Sequence, residues 1–400
     1  MGMLASRKIA ACLLLVAVAC TGEPDTAQPS ASPSVTMLPS PSAPGQAVPD
    51  ERLVVPDALS FVSQSVGFGL NVACQEAATK RHCSFAATRT ADAGVKWTRV
   101  GDARDVALDA GDAEPRVTFA DEQHGWIYGP GLIETADGGV TWMPRPIAPR
   151  VPTVAARGNA VWATAVECSD DGCDVHVFRQ TVGDATWHRR LTPVHSIGRS
   201  EAILTLVDPN HAFVLVVSED PGRTVLLEVE SYGDPRRAET FVGPGRAHRL
   251  PCDDPARVAA DTRRVWLACT DPVGSSEQPT RLFTSGDSGA NWRLVADTGN
   301  ASGRKRIGNI PAGGMLGDLV ALDAETLLMS RNAIHHPAPN TEALISRSAT
   351  AGETWYTTMP NQDDALTLIF IDGQLGWALG PNSLFRTIDG GRTWIRTAHR

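Results

Sequence analysis

Apolar and polar residues alternate along most of the chain in short runs, and Gly, Asp, Asn and Pro punctuate them. That period-two pattern predicts half-buried β-strands joined by turns. Between Arg116 and Arg145 it reads "RVTFAD", "GWIYG", "LIETA", "TWMPR"; near the end it reads "ALTLIFID", "GWALG", "SLFRT", "TWIRT". Between Glu201 and Val242 the segments "EAILTLVD", "HAFVLVVS", "TVLLEVES" and "AETFV" also read as four strands. Each such unit occupies about 40–60 residues, and a repeat of four short strands predicts a toroid of blades.

An octamer punctuates these units. It occurs as "TADAGVKW" (Thr90–Trp97), "TADGGVTW" (Thr135–Trp142), "SGDSGANW" (Ser285–Trp292), "SATAGETW" (Ser348–Trp355) and "TIDGGRTW" (Thr387–Trp394). A hydroxyl residue always comes first, Gly fifth and Trp eighth. Asp stands third as Asp92, Asp137, Asp287 and Asp389, with Thr350 as the exception. The strand pattern places the octamer between a third strand and an outer fourth strand. The Asp carboxylate is expected to accept backbone N–H groups of its own turn. Gly94, Gly139, Gly289, Gly352 and Gly391 are expected to supply a backbone conformation that other residues resist. Trp97, Trp142, Trp292, Trp355 and Trp394 are expected to fill the space beneath the turn. The octamers are thus assigned a structural role and no catalytic one. With Trp187 in "TVGDATW" as a degenerate copy and one unit lacking the octamer, repeats end near Trp97, Trp142, Trp187, Phe241, Trp292, Trp355 and Trp394. The expected fold is all-β, a seven-bladed β-propeller of four-stranded antiparallel blades.

The octamer resembles the Asp-box, or bacterial neuraminidase repeat. The longer unit, a Phe followed by "DEQHGW" and "TADGGVTW", resembles the propellers of photosystem II stability and assembly factors and their bacterial relatives. The resemblance covers about residues 52–400. It implies a propeller fold and no single function, because sialidases, sortilin-type receptors and xyloglucanases carry the same box.

The start of the chain reads as an export signal, residues 1–19. Arg7 and Lys8 precede the apolar "IAACLLLVAVA" (Ile9–Ala19), too short to span a bilayer, and Cys20 follows small residues. This resembles a bacterial lipoprotein signal, with lipidation at Cys20 and a lipid anchor at the outer face of the cytoplasmic membrane. An ordinary secretory signal is the alternative. Residues 20–50, rich in Pro, Ser and Ala, lack the apolar content to fold and are expected to form a disordered stalk. The propeller is assigned to residues 51–400. Six further cysteines in an exported chain predict disulfides. Their spacing favours Cys74–Cys83, Cys168–Cys173 and Cys252–Cys269, although six cysteines permit other pairings. No C-x-x-C appears and no His sits at a zinc-site spacing from these cysteines, so no metal or cofactor is expected.

Antiparallel strands send successive connections to alternate ends. The octamers therefore share one face with the first-to-second turns, and the disulfides fall on the opposite, loop face. The long segments Thr270–Arg281, Val295–Gly317 and Ser330–Ala343 fall there too. Function tends to sit on elaborated loops, so Arg304, Lys305 and Arg306 are candidates for an anionic partner, and His335 and His336 for ligands or acid–base groups. The bland alternative for both is a solvated loop. Asp170 and Asp171 in "CSDDGC" offer too few oxygens for calcium. The net charge of −9 argues against nucleic acid as a partner.

An enzyme of the sialidase kind would need an arginine triad, an acid and a Tyr–Glu pair. Phe385-Arg386 comes nearest to its early motif but leads into the last octamer. The tyrosines are Tyr128, Tyr232 and Tyr356; Tyr356 follows an octamer Trp, and Glu230 with Tyr232 reads as blade packing. The sequence thus favours a surface-tethered, non-catalytic propeller that binds an envelope protein or glycan as a scaffold. The alternative is a sialidase-like or other glycoside hydrolase acting at the central face.

Overall fold

The chain divides into two units, Met1–Pro49 and Asp50–Arg400. The computed structural model describes residues 55–76, 80–109, 114–198, 200–218, 224–231, 246–271, 278–299, 307–333, 343–360 and 366–399, all within the second unit. Cys20, the residues 20–50 expected to form a stalk, Phe241 and Tyr232 lie outside the described residues. Every element described is a β-strand.

The strands form seven antiparallel blades over 58–109, 116–144, 150–196, 200–248, 255–310, 315–360 and 367–399. Each blade runs outward from its first strand. The seven first strands contact one another in chain order, and Ala58–Phe61 of blade 1 meets Thr367–Phe370 of blade 7. The ring therefore closes on blades built each from one contiguous segment, with no exchanged strand among the described residues. Val55 packs into the core of that junction, while Arg52–Val54 lie outside the described residues.

Polar side chains stitch the first strands around the axis. The Phe119 N–H donates to Ser60 Oγ at 2.9 Å, and Thr118 Oγ1 donates to the Val154 carbonyl at 3.2 Å. Thr153 and Thr205 donate to the Ala202 and Val258 carbonyls at 2.9 and 3.0 Å. Leu368 N–H donates to Asp318 Oδ2 at 2.9 Å. These bonds satisfy main-chain groups that lateral pairing leaves open at a blade's inner edge.

Aromatic residues also pack between blades. The Phe that ends a first strand lies edge-on to its own blade's octamer Trp, with centroids 6.0 Å apart in Phe61–Trp97 and Phe119–Trp142 and 6.2 Å apart in Phe370–Trp394. Its other face stacks on an aromatic of the preceding blade's second strand: Trp377 on Phe61 at 3.5 Å and Phe68 on Phe119 at 3.7 Å. Trp126, Trp162, Trp266 and Trp377 occupy second strands and are fully buried.

The octamers join third to fourth strands, and three features depart from the sequence expectation. Blade 4 takes its fourth strand from Arg246–His248, which pairs with Leu226–Glu228; "AETFV" lies outside the described residues. The segment from Val295 to Gly317 is not a plain loop: the fourth strand of blade 5 continues to Thr298, and Gly308–Ile310 pairs with it in parallel. Blade 3 splits its outer edge into His188–Arg189 and Val194–Ser196.

The fourth octamer residue has left-handed backbone even where it is not Gly, with φ of 64° at Ala93, 57° at Ser288 and 54° at Ala351. The fifth, always Gly, is more extreme, at φ 93° for Gly94. A Cβ there would meet Leu384 Cδ2 of blade 7 at 2.6 Å. Gly94→Ala is expected to destabilise the chain by about 1–3 kcal/mol, combining backbone strain with overpacking. Ser288→Gly relieves a left-handed side-chain penalty and is expected to be neutral or stabilising by up to about 1 kcal/mol. Urea unfolding of the two variants checks both signs.

Candidate functional site

The octamer hydroxyl, acid and glycine form one repeated turn. In the first copy Thr90 Oγ1 donates to Asp92 Oδ1 at 2.8 Å and accepts from the Gly94 N–H at 3.0 Å. Asp92 Oδ1 also accepts from the Lys96 N–H at 2.8 Å. The copies at Asp137, Asp287 and Asp389 repeat these bonds, and the other oxygen of each accepts from Thr141, Asn291 or Thr393. At the divergent copy Thr350 Oγ1 stands in for the carboxylate and accepts from the Thr354 N–H at 2.8 Å. A hydroxyl can do this because the turn asks for an acceptor in place, and a formal charge is not essential. The Trp97, Trp142 and Trp355 indoles donate to the carbonyl of their own octamer glycine at 2.8–3.1 Å.

Those bonds set the carboxylate charges. Side-chain and backbone donation from Asn291, with the Ser285 hydroxyl, lowers the Asp287 carboxyl from 3.8 to about 2. At Asp92, Asp137 and Asp389 partial burial pushes upward, and the hydrogen bonds outweigh it, leaving each below the ordinary value. An acid held ionised inside its own turn is poorly suited to shuttling protons.

The acids nearer the axis behave differently. Asp318, on the first strand of blade 6, is pushed up by desolvation, which the Leu368 N–H and the charges of Arg257 and Arg116 partly offset. Those arginines come from the first strands of blades 5 and 2, so the charges that reach this carboxyl are cationic. It is an anchored acid, already holding the next blade's backbone.

The three expected cysteine pairs are bonded: Cys74–Cys83, Cys168–Cys173 and Cys252–Cys269. The first two bridge directly opposed residues of second-to-third hairpins. The third ties the link before blade 5 to the end of that blade's second strand. All three lie at the loop face, and Asp170 and Asp171 form the exposed tip of the second hairpin. Arg304, Lys305, Arg306, His335 and His336 lie outside the described residues.

Strand length creates a cavity at the same end of the molecule. The second and third strands of blade 1 span Gly67–Glu76 and Lys80–Thr90, whereas those of blade 2 span only Gly125–Gly129 and Gly131–Thr135. Blade 2 turns back at Pro130 while blade 1 continues. The step exposes a cavity of about 300 Å³ between them. Phe85 and Arg104 line it from blade 1, and Ile127, Tyr128, Leu132 and Ile133 from blade 2. Burial pushes the Tyr128 phenol up, so it stays protonated as a neutral polar group among apolar walls. No sequence motif marks this site, because its cause is a mismatch between neighbouring blades.

The sialidase-type residues are scattered. Tyr356 begins the outer strand of blade 6, where its hydroxyl receives Arg347 Nη1 at 2.9 Å. Arg386 lies on a third strand, over the ring of Trp377 and against the Gln64 carbonyl.

No protein-family profile and no curated protein matches the chain. Among solved structures, YCF48 from Cyanidioschyzon merolae is 18% identical with a TM-score of 0.42, over 70% of this chain and 83% of that one. The β-propeller domain of the Trilobed protease from Pyrococcus furiosus is 8% identical with a TM-score of 0.47, over 87% of this chain and 98% of that one. The Hadza microbial sialidase Hz136 is 13% identical with a TM-score of 0.40, over 86% and 65%. At such scores these likenesses lend nothing to a functional assignment, and the fold rests on the strands themselves.

Acid titration separates the two kinds of carboxyl. Because the octamer acids are lowered in the fold, their stabilisation is complete above the ordinary value of 3.8 and is lost as pH falls toward about 2 for Asp287. Asp318 is raised in the fold and therefore costs stability as pH rises above 3.8. Urea unfolding from acid to neutral pH is expected to show Asp287→Asn weaker than wild type at neutral pH and converging with it in acid. Asp318→Asn, which keeps an acceptor for Leu368, is expected to gain on wild type as pH rises.

Proposed function

We propose that the chain is an exported, surface-tethered propeller that binds an envelope protein or glycan through its loop face and serves as a non-catalytic scaffold. The supporting observation is the apolar cavity between blades 1 and 2, walled by Phe85, Ile133 and Arg104. It opens on the end of the molecule where the three disulfides lie. Cross-linked hairpins hold a recognition surface at small entropic cost on binding. An apolar hollow with one cation and one phenol suits an aromatic or aliphatic anchor bearing an acceptor.

In this reading the octamers are Asp-boxes with a fold-forming role only, and lipidated Cys20 tethers the propeller through the stalk. Treated as a flexible coil, that stalk gives a reach of roughly 30 Å. Disulfides favour an oxidising compartment, in keeping with export. The hydrolase alternative would place chemistry at the axis, and Asp318 with Arg257 and Arg116 is what speaks for it.

Site-specific photocrosslinkers distinguish the two. In cells that express the chain, a probe at Ile133 is expected to capture a defined envelope component, and Arg104→Glu to abolish the capture. A probe at Val140, exposed on the octamer face, is expected to capture nothing defined. Turnover of sialosides or β-glucans that disappears with Asp318→Asn would contradict the scaffold reading.

A further inference from the structure

Blade 4 has no octamer, and its octamer-face edge instead gathers two histidines and two glutamates. His211 opens the second strand directly opposite Glu230 of the third, and Glu228 stands two residues along the same face. On the fourth strand His248 is opposite Leu226, which puts its side chain on that face as well. The ligand atoms of His211, Glu228 and Glu230 all lie within 4.8 Å of one another. His211 Nε2 is 3.1 Å from Glu228 Oε1, and His248 Nε2 is 3.5 Å from Glu228 Oε2.

Burial makes the arrangement costly as it stands. The Glu228 side chain is 10% exposed and that of His248 only 2%. His248 Nε2, aimed at Glu228, makes no hydrogen bond. A buried carboxylate needs compensation, and Glu230 brings a second negative group close to the first. A cation among the three ligand atoms would neutralise both acids. Imidazole and carboxylate donors together suit a zinc-class ion, and a ligating carboxylate is commonly oriented by an outer partner.

We propose that His211, Glu228 and Glu230 bind one divalent transition-metal ion of the zinc class, with His248 positioning Glu228 from behind. Glu230 is exposed and gives the ion its route from solvent. The ion would tie the second strand of blade 4 to the third. Through His248, which packs against Gly289 of the next blade's octamer, it also reaches the boundary with blade 5. It thus supplies a cross-link on the one blade edge where neither an octamer nor the degenerate Trp187 copy provides one. The ligands come from two strands with no motif spacing, which is why the sequence suggested no metal.

The test is titration of the purified full chain, free of any histidine tag and stripped with EDTA, with Zn²⁺ by calorimetry and with Co²⁺ by visible absorption. The expected result is one ion per chain, a higher thermal midpoint with Zn²⁺, and no competition from Mg²⁺. Glu230→Gln, at an exposed position, is expected to keep the EDTA-state midpoint; His211→Gln is the second ligand variant. Each should weaken Zn²⁺ binding by at least the roughly ten-fold that loss of an outer-shell partner costs. His248→Gln should weaken it less and alter the Co²⁺ spectrum. Absence of binding, Mg²⁺ preference, or affinity unchanged in Glu230→Gln and His211→Gln would overturn the proposal.

Discussion

A four-stranded blade has two apolar faces and can cover neither by itself, so its stability is borrowed from its neighbours. The fourth residue of the octamer is where that loan is made specific. Ala93 donates its N–H to the Ser65 carbonyl in its own blade at 2.9 Å, and its carbonyl receives the Trp377 indole of the preceding blade at 3.2 Å. Ala351 repeats this with Glu325 and Trp266, and Gly390 with Gln374 and Arg347. One residue thus joins a blade's own turn to the blade before it. Left-handed backbone lets it face both ways, and the adjacent glycine removes the side chain that would hold the blades apart.

That requirement explains why so much of the fold was legible in the sequence. The octamer combines a local hydrogen-bonded turn with a tertiary contact, so its residues recur together and mark each blade they close. The cysteine pairs were legible because hairpin partners are close along the chain. Other features depend on register between distant segments. Trp162, Trp266 and Trp377 look like ordinary core residues until their indoles meet a carbonyl in the next blade. The fourth strand of blade 4 is three residues long and carries no octamer. The cavity arises from unequal strand lengths in blades 1 and 2, and the histidine–glutamate cluster from strand pairing in blade 4.

The same architecture limits where function can reside. The octamer acids are committed to their turns, and Asp318 is committed to holding blade 7. What remains adaptable is the loop face, where connections can vary without disturbing the contacts between blades. The proposed binding role therefore rests on the disulfide-clamped hairpins and on the cavity between blades 1 and 2.

The central claim is that contacts between neighbouring blades, among them the indole-to-carbonyl bonds of Trp162, Trp266 and Trp377, bind seven blades into one cooperative ring, including the junction between its ends. Native-state hydrogen exchange of the tryptophan indoles, followed by NMR with ¹⁵N-labelled tryptophan, tests it most directly. Trp377 at the junction and Trp266 within the ring are expected to exchange with the same free energy, equal to that of global unfolding. Exchange of Trp377 at a much lower free energy, with Trp266 still protected, would show that the ring opens at its seam and would contradict the account.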